Sequence, residues 1–180
     1  MEYIRIPSER IGVLIGKEGK VKSQIEEKLN VKLTVDNEEG TVTIQNKGED
    51  VLAEWKAKNI ITAIGRGFNP RKAMKLCHDE YVLEVIDLQD IVGKSPKALK
   101  RQKGRIIGQG GKTRKIIEEC TGSDVSVYGK TVAIVGTLER VQAAREAILM
   151  LARGKPHGVV YKILQRKARE LKEKSFSLWK

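Results

Sequence analysis

Aromatic residues make up only 4% of this chain. Sheets that bind by stacking bases on aromatic pairs are therefore excluded, because the strand-like segments carry no such pairs. Cysteine and histidine are equally scarce, with two of each. Cys77 and Cys120 share no CxxC spacing and have no histidine cluster near them, which excludes a disulfide framework and a zinc site. Two buried thiols acting as small hydrophobes is the expectation. His78 and His157 lack ligand-like neighbours. With no nucleophile–base pair and no metal-ligand set, an enzyme is not expected, and no cofactor is called for. Asp87 and Asp90 flank a loop and read as turn or cap residues rather than a carboxylate dyad. Apolar runs long enough to cross a membrane are missing, as is an amino-terminal signal-like apolar stretch. A soluble, cytoplasmic protein is the expectation.

What the chain does have is positive charge, unevenly placed. Lys and Arg number 35 against 23 Asp and Glu, for a net of +12. Residues 1–90 hold 14 basic and 16 acidic side chains, and residues 91–180 hold 21 and 7. The whole excess lies in the second half, so a polyanionic partner would be held mainly there.

The chain also repeats itself. RIGVLIGKEGKVKSQIEE (10–27) parallels KGRIIGQGGKTRKIIEE (103–119), with Gly12, Gly16, Gly19 and Lys20 opposite Gly104, Gly108, Gly111 and Lys112. Ile25 and Glu26–Glu27 align with Ile117 and Glu118–Glu119, and TVTIQN (41–46) with TVAIVG (131–136). Each copy opens with an alternating apolar segment, EYIRIP or YVLEVIDL, and continues through two helical patterns flanking a glycine loop. A β-hairpin and an amphipathic helix follow, the helix at about 49–65 in one copy and 138–153 in the other. The predicted class is α+β: two tandem β-α-α-β-β-α units, each a three-stranded antiparallel sheet with helices on one face. The expected divisions are 1–67, a connecting helix at 68–80, 81–154, and a basic carboxyl-terminal helix and tail at 155–180.

The functional signal is Gly-x-x-Gly between two helices, as Gly16-Lys17-Glu18-Gly19 and Gly108-Gln109-Gly110-Gly111. Glycine lets a sugar-phosphate backbone come close, and the amino terminus of the following helix favours phosphate. In the second copy the candidate contacts are Lys103, Gly104, Arg105, Ile107, Gly108, Gln109, Gly110, Gly111, Lys112, Arg114 and Lys115, with Val125 and Val127 flooring the groove. In the first copy they are Gly12, Ile15, Gly16, Lys17, Glu18, Gly19, Lys20 and Lys22. Residues 97–115 contain eight basic side chains and no acid, whereas Glu18 lies inside the first loop and would repel phosphate unless it points to solvent. The second copy is read as the main RNA grip, and the first as a weaker RNA contact or a protein contact. Gly111-Lys112-Thr113 resembles the end of a nucleotide-binding P-loop, but Ile106 stands where that motif needs glycine.

These loops and their context resemble the KH (K-homology) family, type I, in which GxxG clamps about four single-stranded nucleotides. The whole chain resembles the archaeal and eukaryotic Dim/Pno family of ribosome-assembly proteins, on GRIIGQGGKTRKIIE, VYGKTVAIVG, AREAILMLARGKPHGVVYK and FNPRKAMKL. The resemblance implies binding of small-subunit ribosomal RNA near its 3′ end and a protein partner, a Nob-type endonuclease or another assembly or translation factor. Eukaryotic members tend to lose the first GxxG, which this chain retains, so the role of the first copy stays open. An RNA-decay protein associated with the exosome, or an adaptor whose KH folds bind proteins, are the alternative readings. The basic segment 159–174 reads as an accessory RNA contact or partner-docking helix rather than a membrane anchor, and the tail beyond it as either anchored through Phe176 and Trp179 or flexible.

Overall fold

Six strands and nine α-helices, joined by short 3-10 turns, make up the described residues 1–178 of a computed structural model. They form two compact units, divided between Leu83 and Glu84.

In the first unit, β1 (Glu2–Arg5) leads to α1 (Ser8–Ile15), a 3-10 turn at Lys17–Gly19, and α2 (Lys20–Leu29). The hairpin of β2 (Val31–Asp36) and β3 (Thr41–Asn46) precedes α3 (Ala53–Gly65). The sheet order is β1-β3-β2, antiparallel, with Leu33 opposite Ile44 and Val35 opposite Val42. Alternation does the sorting: Val31, Leu33, Val42 and Ile44 are buried against the helices, while Lys32 and Thr34 face outward. Asp36 makes the hairpin turn by accepting the Glu38 and Glu39 N–H groups on Oδ1. The last helix begins four residues later than its periodicity suggests. Asn46 and Asp50 side chains take up the N–H groups of Gly48 and Leu52 and hold that stretch as a turn.

Residues 68–80 form two short turns rather than one helix. These are α4 (Pro70–Ala73), capped by the Asn69 side chain on the Lys72 N–H, and a 3-10 turn at Met74–Cys77. Phe68, Ala73 and Leu76 are buried, and the segment packs on α3 as part of the first unit.

The boundary between the units falls within β4 (Tyr81–Asp87). A one-turn α5 (Gln89–Val92) follows, started by Asp87, whose Oδ1 accepts the Gln89 N–H at 2.9 Å. Then come α6 (Pro96–Ile107), a 3-10 turn at Gln109–Gly111, α7 (Lys112–Thr121), β5 (Asp124–Tyr128), β6 (Thr131–Thr137) and α8 (Leu138–Ala152). The sheet order β4-β6-β5 repeats that of the first unit. Ser95 at the N-cap and Pro96 at the first position start α6, which is four residues longer than α1. The repeat extends to a tie between strand end and hairpin: the Ile6 N–H reaches the Gly40 carbonyl in one unit, and the Leu88 N–H the Lys130 carbonyl in the other, both at 2.9 Å. The β-α-α-β-β-α order expected from the sequence is present twice.

The carboxyl-terminal segment forms α9 (His157–Ser177), longer than expected at both ends. It packs on α7 and α8 and buries Val160 and Leu164 completely. Phe176 is largely exposed, and Trp179 lies outside the described residues. No described helix is long and apolar enough to cross a membrane.

Candidate nucleic-acid interface

Each glycine loop is a sharp passage between two helices, built on three positive φ angles. In the second unit these are Gly108 at 75°, Gly110 at 64° and Gly111 at 78°. In the first they are Gly16 at 75°, Glu18 at 57° and Gly19 at 73°. The two backbones are nearly the same, ψ included. Glu18 thus occupies a left-handed position that its counterpart Gly110 adopts without strain.

The glycines divide by role. A Cβ at Gly108 would stand 2.3 Å from Thr113 Oγ1 and 2.7 Å from its backbone N, and one at Gly16 would stand 2.4 Å from Val21 Cγ2. The first glycine of each motif therefore lets the loop close onto the next helix. At Gly19, Gly110 and Gly111, and at Gly12 and Gly104 within α1 and α6, a Cβ would meet nothing within 4 Å. Glycine inside a helix costs about 0.5–1 kcal/mol against alanine, and no packing contact in the unit requires it at 12 or 104. These bare positions leave the backbone open to a ligand.

The cations also divide. Lys103, Lys112 and Lys115, with Lys97, Lys100 and Arg101 further back on α6, have no ion-pair partner among the described residues. Arg105 does not join them. Its Nε donates to the Leu151 carbonyl at 3.3 Å and its Nη2 to the Lys155 carbonyl, closing the end of α8. Arg10 does the same in the first unit, donating to the Ile64 and Phe68 carbonyls at 2.8 Å each. Arg114 is held by Glu118 Oε1 at 2.6 Å, and Lys22 by Glu26 Oε1 at 3.3 Å. The two glutamates explain a paired feature of the repeat. Glu118 Oε2 accepts the Val125 N–H, and Glu26 Oε2 the Leu33 N–H, which ties each second helix to the edge strand of its hairpin.

The aliphatic floor needs a correction at one position. Val125 is only 2% exposed and its side chain belongs to the core, so Ile107 and Val127, both half-buried, are the apolar groups left at the surface. Ile15 has the same exposure class in the first unit. Gln109, Gly110, Lys17 and Glu18 are all exposed, so the Glu18 carboxylate lies on the open surface of its loop, where a phosphate would approach.

Thr113, which the sequence shows only as part of a failed P-loop, is the residue on which the second glycine loop closes. It is buried at 2% beneath Gly108, and its hydroxyl pairs with Tyr161 of α9 at 2.9 Å. Its alignment with Val21, the residue beneath Gly16, is the signal that could have found it. The cysteines are half-buried rather than buried, and burial pushes both thiols up from their ordinary pKa, which keeps them protonated. No group of three His, Cys, Asp or Glu among the described residues could hold a metal ion.

Residues 82–169 match the family described as eukaryotic-type KH domain, type I, and residues 1–63 match the KH domain family. A KH domain-containing protein of Methanocaldococcus jannaschii is 54% identical over all of this chain and 79% of that protein. Dim2p of Pyrococcus horikoshii, solved by itself, is 51% identical with a TM-score of 0.86, covering 92% of this chain and 98% of that one. The chain belongs to the Dim2/PNO1 family of two-KH-domain proteins. A second match, in the crystal structure of an a/eIF2alpha–aDim2p–rRNA complex from the same organism, is 50% identical with a TM-score of 0.88, covering 94% of each chain. The pre-rRNA-processing protein PNO1 of Coccidioides immitis is 28% identical over 95% of this chain and 68% of that protein. The PNO1-type KH match extends well into α9, in keeping with the packing of that helix on the second KH unit.

Glu18→Gly tests the first KH loop. Removing the left-handed strain outweighs the added backbone entropy of glycine, so stability should rise by roughly 0.5 kcal/mol. With the second loop disabled, RNA affinity should rise about threefold as the charge leaves the loop. Urea melts and a binding titration read the two effects, and a fall in either would contradict this account of Glu18.

Proposed function

We propose that this protein binds single-stranded small-subunit ribosomal RNA near its 3′ end and acts in ribosome assembly, with the second KH loop as its principal clamp. The observation carrying this reading is the acid-free loop at Gly108–Gly111, with backbone open at Gly110 and Gly111 and, around it, Lys103, Lys112 and Lys115 with no ion-pair partner among the described residues. The rRNA in the Dim2p complex and the pre-rRNA-processing role in the PNO1 name support the choice of RNA. Binding would be by position and charge: phosphates lie against the open glycine backbone and the start of α7, and bases against Ile107 and Val127. The first KH loop shares the backbone geometry but has Glu18, so it contributes less charge to RNA and is available to a protein partner. That partner would be a Nob-type endonuclease or another assembly or translation factor, the latter class favoured by the a/eIF2alpha in the Dim2p complex.

The test is a titration of the protein with RNA matching the 3′ end of the small-subunit ribosomal RNA, beside a scrambled RNA, across salt concentrations. About four phosphate contacts on a single strand give a slope of log K against log salt near −3. Preference for the authentic RNA with that slope is expected. A flat salt response, or equal binding of the scrambled RNA, would overturn the reading.

A further inference from the structure

The basic residues of α9 fall into two groups. On the side facing α8, cations are paired: Lys167 with Glu146 at 3.9 Å, and Lys174 with Glu139. Arg166 pairs with Glu170 along the helix at 3.9 Å. Lys162, Arg169 and Lys172 are exposed and have no ion-pair partner among the described residues. Together with Gly158 and Gln165 they recur at spacings of four and three, so they share one face, with Glu173 at its edge near the far end. That face lies next to the row begun by Tyr161, the residue that reaches α7.

The helix also starts beside the glycine loop. His157 Nε2 bonds the Arg105 carbonyl at 2.9 Å, three residues before Gly108, and Tyr161 bonds Thr113, which lies beneath Gly108. From there the free cations run along α9 for about 15 Å between Lys162 and Lys172, at 1.5 Å per residue. That length suits two to three nucleotides beyond the roughly four a KH loop holds.

We propose that α9 extends the RNA path of the second KH domain, its Lys162, Arg169 and Lys172 face taking phosphates of the strand that leaves the Gly108–Gly111 loop. The proposal rests on the RNA-clamp reading of that loop. Charge complementarity with a polyanion and continuity with the loop select the occupant. A patterned single face beginning at the loop, with the cations on its other side already neutralised by acids, is what a directed strand path requires.

The test uses the full chain with Lys162→Gln, Arg169→Gln and Lys172→Gln together. All three side chains are exposed and glutamine keeps the helix propensity, so folding should be unaffected. The probes are a four-nucleotide core from the 3′ end of the small-subunit ribosomal RNA, and the same core extended by four nucleotides at its 5′ or its 3′ end. The variant should bind the core as the unaltered protein does. It should bind one of the two extended RNAs about tenfold more weakly, with the salt slope reduced by about 2. Loss on neither extended RNA would remove α9 from the path. Equal loss on both, or loss on the core as well, would mean a diffuse electrostatic effect and would also overturn the proposal. If the unaltered protein binds none of the RNAs, the clamp reading fails first and this one with it.

Discussion

Replacing Gln109 and Gly110 together by aspartate should lower RNA affinity at least a hundredfold and leave the second KH domain folded. The fold tolerates the change because Gln109 is exposed and a Cβ at Gly110 meets nothing within 4 Å. The φ of 64° at Gly110 is one that aspartate adopts more readily than most residues. What changes is the field. Two carboxylates replace neutral groups at the point where phosphate would lie, amid Lys103, Lys112 and Lys115. Lys17→Asp in the first loop should cost only about three- to fivefold, since Glu18 already opposes phosphate there. Fluorescence anisotropy with labelled 3′-end ribosomal RNA, beside circular dichroism, reads both variants. Equal losses from the two loops would show one RNA track shared by both domains and would defeat the assignment of the second loop as principal clamp.

Gly108→Ala should unfold the second KH domain far more readily than Gly111→Ala, although both glycines belong to the same motif. Gly108 has φ 75° and ψ 170°, a region that only glycine occupies comfortably, and an added Cβ would collide with the Thr113 backbone nitrogen at 2.7 Å. Strain and overpacking together should cost about 3 kcal/mol or more. Gly111 has φ 78° and ψ 13°, with open space where the Cβ would go, so alanine there should cost about 1–2 kcal/mol. Denaturant midpoints measured on the two variants compare the costs directly. Similar midpoints would mean that the loop backbone is far more adaptable than its close contact with α7 implies.

Much of the architecture was legible because it rests on local pattern. Alternation in VKLTVD and TVTIQN marks strands with one buried face, and helical spacing of Ile25 with Leu29 marks α2. The connecting segment was less legible. Its helical pattern is real, but Asn69 and Pro70 start one turn that tightens to 3-10 at Met74, and the buried Leu76 holds it on α3. Lys103, Lys112 and Lys115 have no ion-pair partner among the described residues, whereas Arg105 is engaged by carbonyls, Arg114 by a carboxylate, and the Val125 side chain lies in the core. Composition counts a cation the same way whether it meets solvent, a carbonyl or a carboxylate.

By itself the sequence determined the twofold repeat, the order of strands and helices, the position of both glycine loops and the concentration of charge in the second half. These follow from spacing, periodicity and composition, which a short window of residues contains. Only the tertiary structure decided which cations stay free, which glycine the fold needs, and that α9 packs onto the second KH domain beside its loop. Those outcomes depend on partners 46 to 52 positions away, as Arg105 meets Leu151, Thr113 meets Tyr161 and His157 meets the Arg105 carbonyl. Pairings at that separation are set by how the helices pack, and no local pattern of residues records them.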